Sequence, residues 1–145
     1  MDAVWAIKTI EENVNYYNPD LVIVGYGMND FRTEPPLFEK QIREVIKRTR
    51  DKNPNCEFIL IATSLPNPLL TSPICPINGY QKDFLAVLQN IEADTNGVAV
   101  ANITEMHSYL MSKKRYFDMT SNNVNHPNDF LYRMYAQYLI SMLVE

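Results

Sequence analysis

The chain has 145 residues, of which 13 are basic, 17 are acidic and 46% are hydrophobic. This length and composition predict one globular domain over residues 1–145 and exclude wholesale disorder. The net charge of −4 disfavours a nucleic-acid-binding surface, which would need a basic stripe. No apolar run reaches the roughly 18 residues that a transmembrane helix needs, so we expect no membrane span.

Helix and strand patterns alternate through the first half of the chain. Apolar residues at three- and four-residue steps predict a helix over residues 2–17, which Asn18-Pro19-Asp20 ends. The continuous β-branched and apolar run at residues 21–25 predicts a strand buried on both faces of a parallel sheet. After a loop, two prolines open a second helix at about residues 37–51.

The second half of the chain repeats this unit. A buried strand is predicted at residues 57–63 and a third strand at residues 98–103, with a proline-containing loop to Pro76 and a helix over residues 77–94 between them. A short helix at residues 104–111 is predicted with Thr104 as its N-cap. A loop at residues 112–125 leads to the last helix, residues 127–144, with Pro127 in its first turn. The alternation predicts an α/β fold, a flavodoxin-like three-layer α/β/α sandwich around a parallel sheet.

The cysteines and histidines lack the pattern of a metal site. Cys56 and Cys75 do not have ligand spacing, and the two histidines have no cysteine or carboxylate partners at ligand spacing. We therefore expect no metal and no other cofactor. Cys56 is expected to be a small apolar core residue with a free thiol, and His107 is expected to be a capping or core histidine.

Two motifs fall where such a fold places its binding site. Gly27-Met28-Asn29-Asp30 follows the first strand, and Asn123-Val124-Asn125-His126-Pro127 opens the last helix. Ligands bind at the carboxyl ends of the strands in open parallel sheets. Asn29, the loop after Thr63 and the loop before His126 are all expected at that edge.

The residues of these motifs suit ester hydrolysis, which needs a nucleophile, a base and donors for the oxyanion. Asn29 carries an amide donor at a rigid strand end, and Gly27 lets the backbone approach a substrate closely. His126 carries an imidazole, the side chain most often used as a general base, and stands at a helix start. Each also has a structural explanation: Gly-x-Asn-Asp is a common turn, and a histidine at a helix start is often a cap.

Together these motifs resemble the SGNH (GDSL-type) hydrolase family, in which a strand ends in Gly-x-Asn-Asp and a late Asp-x-x-His-Pro carries the base. The resemblance implies an oxyanion-hole role for Asn29 with Gly27 beside it, a buttressing role for Asp30, and a base role for His126. Asn123 stands where the family has an aspartate that orients the imidazole. An amide accepts a hydrogen bond but does not stabilise an imidazolium as a carboxylate does.

Two carboxylates lie close to His126 in the sequence, Asp118 and Asp129. Asp129 falls in the first turn of the last helix, where a negative charge favours the helix dipole, so we assign it no catalytic role. A Ser-His dyad, or a ring oriented by another carboxylate or a backbone carbonyl, is therefore expected.

The resemblance also implies that the nucleophilic serine lies upstream of this sequence, since no Gly-Asp-Ser occurs here. Ser64 follows a strand at the correct edge of the sheet. The resemblance, however, implies that the loop of Ser64 has a structural role and does not carry the nucleophile. An N-terminally truncated sheet would expose an apolar edge strand, so a homodimer or other association through that edge is expected. As printed, the sequence is typical of a cytoplasmic protein. The compartment of a longer parent protein stays open, and secretion is one alternative.

The expected function is an esterase, lipase- or acetylesterase-like, that acts on small-molecule, carbohydrate or lipid esters through an acyl-serine intermediate. The first alternative is a non-catalytic remnant that keeps the fold as a binding or interaction module. A third hypothesis, a nucleotide or phosphate binder, predicts a glycine-rich turn, and none of the 4 glycines forms one.

Overall fold

Three parallel strands form the centre of the structure, a computed structural model that describes residues 1–70 and 79–144. In sheet order they are β1 (Leu21–Val24), β2 (Glu57–Ala62) and β3 (Val98–Asn102). The helices are α1 (Ala3–Asn13), α2 (Pro35–Arg50), α3 (Gln81–Asp94), α4 (Ile103–Met111) and α5 (Asp129–Leu143). Short 3-10 turns lie at Asn15–Tyr17 and Tyr116–Met119.

The sheet carries helices on its two faces. Side chains alternate along a strand, so Phe58 and Leu60 of β2 point into the core formed with α1, α2 and α3. Within that core the rings of Phe38 and Phe84 stack at 4.0 Å between centroids. Ile59 points the other way, where it lines a cavity with Met142 of α5. The predicted α/β fold with a parallel sheet and flanking helices is confirmed.

β1 is an edge strand, and the prediction that it is buried on both faces is wrong. Leu21 and Ile23 are 38% and 46% exposed, whereas Val24 on the opposite face is buried. The physical reason is that β1 pairs with β2 alone among the described residues, and no described helix covers its second face fully. Leu143 of α5 is also exposed beside this face.

Several helix boundaries differ from the predictions, because a 3-10 turn ends α1 and side-chain caps set where α4 and α5 begin. The first α-helix stops at Asn13 and a 3-10 turn continues to Tyr17, after which Asn18 takes a left-handed φ of 46°. The prediction of Thr104 as an N-cap is wrong. Asn102 caps α4 by accepting from the Glu105 N–H, and the Thr104 hydroxyl donates to the carbonyl oxygen of Thr63 instead.

The start of the last helix also differs from the prediction. Asn128 is the N-cap and accepts from the Leu131 N–H, so α5 begins at Asp129. Pro127 precedes the cap and pairs with Thr120 in an isolated antiparallel bridge. It therefore terminates the preceding loop and does not occupy the first helical turn.

Cys56 is fully buried with a free thiol, as predicted, and burial raises the pKa of that thiol. The end of the proline-containing loop at Pro76, the predicted helix start at residue 77 and Cys75 lie outside the described residues. In the described ranges, no helix combines the length and apolar character needed to cross a membrane.

Candidate active site

The turn that follows β1 is built around a buried carboxylate. Asp30 Oδ2 accepts from the Gly27 N–H at 2.9 Å, and Oδ1 accepts from the Ala3 N–H at 2.8 Å. These bonds close the turn and attach it to the start of α1. Desolvation raises the pKa of the Asp30 carboxyl, although both backbone bonds act against that shift. Asp30 thus supports the turn, as the resemblance implies.

Asn29 stands beside this turn with its side chain in solvent. Its Nδ2 donates to the Met1 carbonyl oxygen at 2.8 Å. An amide nitrogen carries two hydrogens, so this bond leaves one for a second acceptor. The chain end and Asn29 therefore meet at the carboxyl end of β1, where a hydrogen-bond donor for a substrate oxygen is expected.

A second turn, residues 120–127, carries His126. Asn122 Oδ1 accepts from the N–H groups of Val124, Asn125 and His126 at 2.9, 3.0 and 3.0 Å. The His126 carbonyl oxygen accepts from the Ser121 N–H at 2.9 Å. One amide oxygen thus organises the turn. The His126 imidazole is exposed, and it makes no hydrogen bond within the described ranges.

Asn123 is hydrogen-bonded to the loop after β2. It has a left-handed φ of 54°, which asparagine tolerates better than most residues. Its carbonyl oxygen and its Oδ1 both accept from Asn67 Nδ2, at 2.8 and 3.2 Å. Between the side chains of Asn123 and His126, the described part of the chain shows no hydrogen bond. The ring-orienting role implied for Asn123 stays a prediction.

The segment after β2, residues 63–67, lies between the two turns. At its start, Thr63 faces Gly27, where an added Cβ would lie 3.7 Å from the Thr63 Oγ1. At its end, the Asn67 N–H donates to the Val124 carbonyl oxygen at 2.9 Å. The segment therefore contacts the turn that carries Asn29 and the turn that carries His126. All three stand at the carboxyl ends of the parallel strands.

Both carboxylates near His126 in the sequence are paired with arginines of their own segments. Asp118 binds Arg115 at 2.9 Å, which lowers the pKa of Asp118, and Asp129 binds Arg133 at 2.9 Å. Neither forms a hydrogen bond with His126 in the part of the chain that the structure describes. Each aspartate is therefore paired with an arginine in this structure, and Asp129 is assigned no catalytic role.

Ser64 lies inside the protein. It is 2% exposed, and its N–H donates to the Tyr135 hydroxyl oxygen at 2.7 Å. Burial of Tyr135 raises the pKa of that phenol, against the lowering effect of its hydrogen bonds with Ser64. Ser64 thus fixes α5 to the loop after β2.

Sequence reasoning missed the residues that shape the His126 turn and those that join this turn and α5 to the loop after β2. Asn67, Tyr116, Asn122 and Tyr135 contact partners that are mostly distant in the chain, and no local motif signals them. Only Asn122 had a usable signal, because asparagine commonly accepts from backbone amides two residues ahead. Within residues 1–70 and 79–144, no group of histidine, cysteine and acidic side chains has the geometry to hold a metal ion.

A sequence model of the GDSL-like lipase/acylhydrolase family matches residues 3–134. Among solved structures, Axe2, an acetylxylan esterase from Geobacillus stearothermophilus, is 14% identical, with a TM-score of 0.79 over 97% of this chain and 67% of that chain. LAE5, an α/β hydrolase from the metagenome of Lake Arreo in Spain, is 15% identical with a TM-score of 0.72 and the same coverage.

These structural similarities concern the fold. Comparison with curated proteins gave no match. The family match extends over most of the chain, including both turns of the candidate site. The chain belongs to the GDSL-like lipase/acylhydrolase family.

Proposed function

We propose that this chain is part of a serine esterase in which Asn29 stabilises the oxyanion and His126 is the general base. One observation carries the proposal: residues 63–67 contact both the Gly27 turn and the His126 turn at the carboxyl ends of the strands. The nucleophilic serine is supplied from outside residues 1–145. The burial of Ser64 and its hydrogen bond to Tyr135 support the proposal that Ser64 is not that serine.

The reaction is hydrolysis through an acyl-serine. The serine oxygen attacks the ester carbonyl carbon while His126 takes the hydroxyl proton, and the carbonyl oxygen becomes an oxyanion that Asn29 Nδ2 stabilises. His126 then returns the proton to the departing alcohol. Water attacks the acyl-serine by the same route and releases the acid. Gly27 allows the backbone to approach the substrate, and Asn123 supports the turn that holds the base.

The substrate class is a small-molecule, carbohydrate or lipid ester. Acetylated xylo-oligosaccharide is the first ester to test, because a structural neighbour is an acetylxylan esterase. At 14% identity, the similarity to that neighbour concerns the fold and not the substrate, so simple aryl acetates are tested as well.

Self-association through β1 is a second part of the proposal. Unpaired backbone groups on an edge strand are a template for pairing with another chain, and the exposed Leu21 and Ile23 add apolar surface beside that edge. We expect the 145-residue chain by itself to form a homodimer, or a larger assembly, through β1.

A fluorophosphonate probe tests the location of the nucleophile. The folded 145-residue chain is expected to remain unlabelled by mass spectrometry. The protein extended upstream through its reading frame is expected to be labelled at one serine and to hydrolyse an aryl acetate. His126→Ala in the extended protein should lower kcat at least a hundredfold, and Asn125→Ala, a neighbour in the same turn, serves as the matched control.

Labelling of a serine within the 145-residue chain that disappears in His126→Ala would overturn the external nucleophile. The alternative function is a non-catalytic binding module. The hydrogen bonds between Asn123 and Asn67 favour it, because they direct the Asn123 side chain to the loop after β2. An extended protein with no labelled serine and no ester hydrolysis would establish that alternative.

A further inference from the structure

We infer that Asn67, assisted by Tyr116, is a positioning residue that fixes the His126 turn against the sheet. This inference rests on the proposed role of His126 as the base. Neither residue belongs to a motif that the sequence reveals. Their contacts lie between the loop that follows β2 and the turn at residues 120–127.

Asn67 uses its backbone and its side chain on the same turn. Its N–H donates to the Val124 carbonyl oxygen at 2.9 Å, and its Nδ2 donates to the carbonyl oxygen and Oδ1 of Asn123 at 2.8 and 3.2 Å. Its Oδ1 accepts from the Leu69 N–H at 2.9 Å, which orients the amide within its own loop. Asn67 is 3% exposed, so water does not replace these bonds readily.

Tyr116 reinforces the same connection. Its hydroxyl lies 3.0 Å from the Leu65 carbonyl oxygen, in the loop after β2, and 3.0 Å from the Val124 carbonyl oxygen, in the His126 turn. The ring is largely buried and lies 5.6 Å from the ring of His107. Tyr116 therefore connects the loop after β2 and the His126 turn from a third segment of the chain.

The internal bonds of the turn do not fix its place. Asn122 shapes the turn through bonds that begin and end within residues 122–126. The His126 imidazole has no hydrogen-bond partner within the described ranges, so its position follows from the backbone that carries it. Asn67 and Tyr116 hold that backbone near the carboxyl end of β2. A shift of about 1 Å in a catalytic group is enough to reduce a rate a hundredfold.

Imidazole NMR signals of the folded 145-residue chain test the inference without catalysis. The chain has 2 histidines, so His126→Ala assigns both sets of ring signals. In Asn67→Ala, we expect the His126 ring signals to shift and broaden and the amide of residue 67 to exchange at least tenfold faster. Tyr116→Phe should shift the same ring signals by less than Asn67→Ala does. It is the test variant to use if Asn67→Ala does not fold.

Asn53→Ala is the matched control. Asn53 Nδ2 also donates to two acceptors, the Pro19 carbonyl oxygen and Asp20 Oδ1, and its Oδ1 accepts from the Asn55 N–H. These bonds lie at the opposite end of the sheet, so Asn53→Ala should leave the His126 signals unchanged. Unchanged His126 signals in folded Asn67→Ala and Tyr116→Phe would overturn the inference.

A kinetic measurement separates positioning from general stability. In the extended protein, Asn67→Ala is expected to lower kcat about tenfold to a hundredfold while KM changes less than about twofold. An unchanged kcat in the folded variant would also overturn the inference. Altered His126 signals in an extended protein that hydrolyses no ester would uphold the positioning and reject only the proposed function.

Discussion

The buried imidazole of His107 accepts a hydrogen bond from the Leu65 N–H at its Nδ1, with 3.0 Å between the nitrogens. The accepting Nδ1 requires the neutral ring with its proton on Nε2. Nε2 is buried and has no hydrogen-bond partner within the described ranges, and desolvation lowers the pKa of His107 to about 4. The loop after β2 is thus held in part by a group that must stay uncharged.

This arrangement predicts a loss of stability in mild acid. The unfolded chain binds a proton at His107 below about pH 6.5, whereas the folded chain binds it only near pH 4. Because the unfolded state binds more protons in that interval, the free energy of unfolding falls as pH decreases from 6.5 to 4. The loss approaches about 3 kcal/mol at the lower limit. Urea denaturation at a series of pH values measures it.

His107→Gln provides the comparison for this prediction. Glutamine offers an oxygen to the Leu65 N–H but does not titrate, so the variant should lack the part of the slope that comes from His107. Subtracting the two curves removes the contributions of the carboxylates. Identical slopes for the two proteins would contradict the prediction.

Asp30→Asn is predicted to destabilise the turn after β1. The substitution places an NH2 group against one of the two backbone N–H donors, Ala3 or Gly27, and removes its acceptor. The free energy of unfolding should fall by about 1–3 kcal/mol at pH 7, measured by chemical denaturation.

The pH dependence of this effect has a defined sign. Because the pKa of folded Asp30 is raised above 3.8, the contribution of its carboxyl to stability decreases as pH rises from 3.8 through the folded value. The advantage of the native protein over Asp30→Asn should therefore be smaller at pH 7 than near pH 4. Asp20→Asn, which changes an exposed carboxylate just before β1, is the control. An advantage that grows with pH would contradict the prediction.

Local sequence was sufficient for the strands and for both ends of the candidate site. The run of β-branched residues before Gly25 and the helical spacing of α2 and α3 depend on neighbours in the chain, so periodicity detects them. Asn29 and His126 are predicted because one follows the end of a strand and the other precedes a helix. Their catalytic roles remain predictions.

The remaining features depend on contacts between distant segments. Asn67 and Asn123 are 56 positions apart in the sequence, and Ser64 and Tyr135 are 71 apart. Thr104 was chosen as a cap on residue type, yet Asn102 caps the helix and Thr104 bonds to the loop after β2. Capping propensity alone does not choose between two polar residues so close together.

Ile23→Lys is predicted to reduce association of the 145-residue chain. A lysine on an edge strand disfavours pairing with another edge, and Ile23 is the more exposed of the two exposed apolar residues of β1. Light scattering coupled to size-exclusion chromatography should show the native chain above the mass of one protomer and the variant closer to it.

Val4→Lys is the control for association, since Val4 is an exposed apolar residue at 40% on α1. It should leave the association unchanged. A native chain that elutes as a clean monomer at all concentrations would reject association through β1.

Gly27→Ala is predicted to destabilise the protein far more than Gly25→Ala. Gly27 has a φ of 123°, a region that side chains disfavour strongly, and its added Cβ would lie 3.3 Å from a Phe84 ring carbon. At Gly25 the nearest atom to an added Cβ is Ile61 Cδ1 at 3.7 Å, an ordinary contact. Gly27→Ala should lower the free energy of unfolding by about 1–3 kcal/mol, and Gly25→Ala by less than about 1 kcal/mol. Equal losses in chemical denaturation would show that the backbone at Gly27 relaxes, and the turn would then not require glycine.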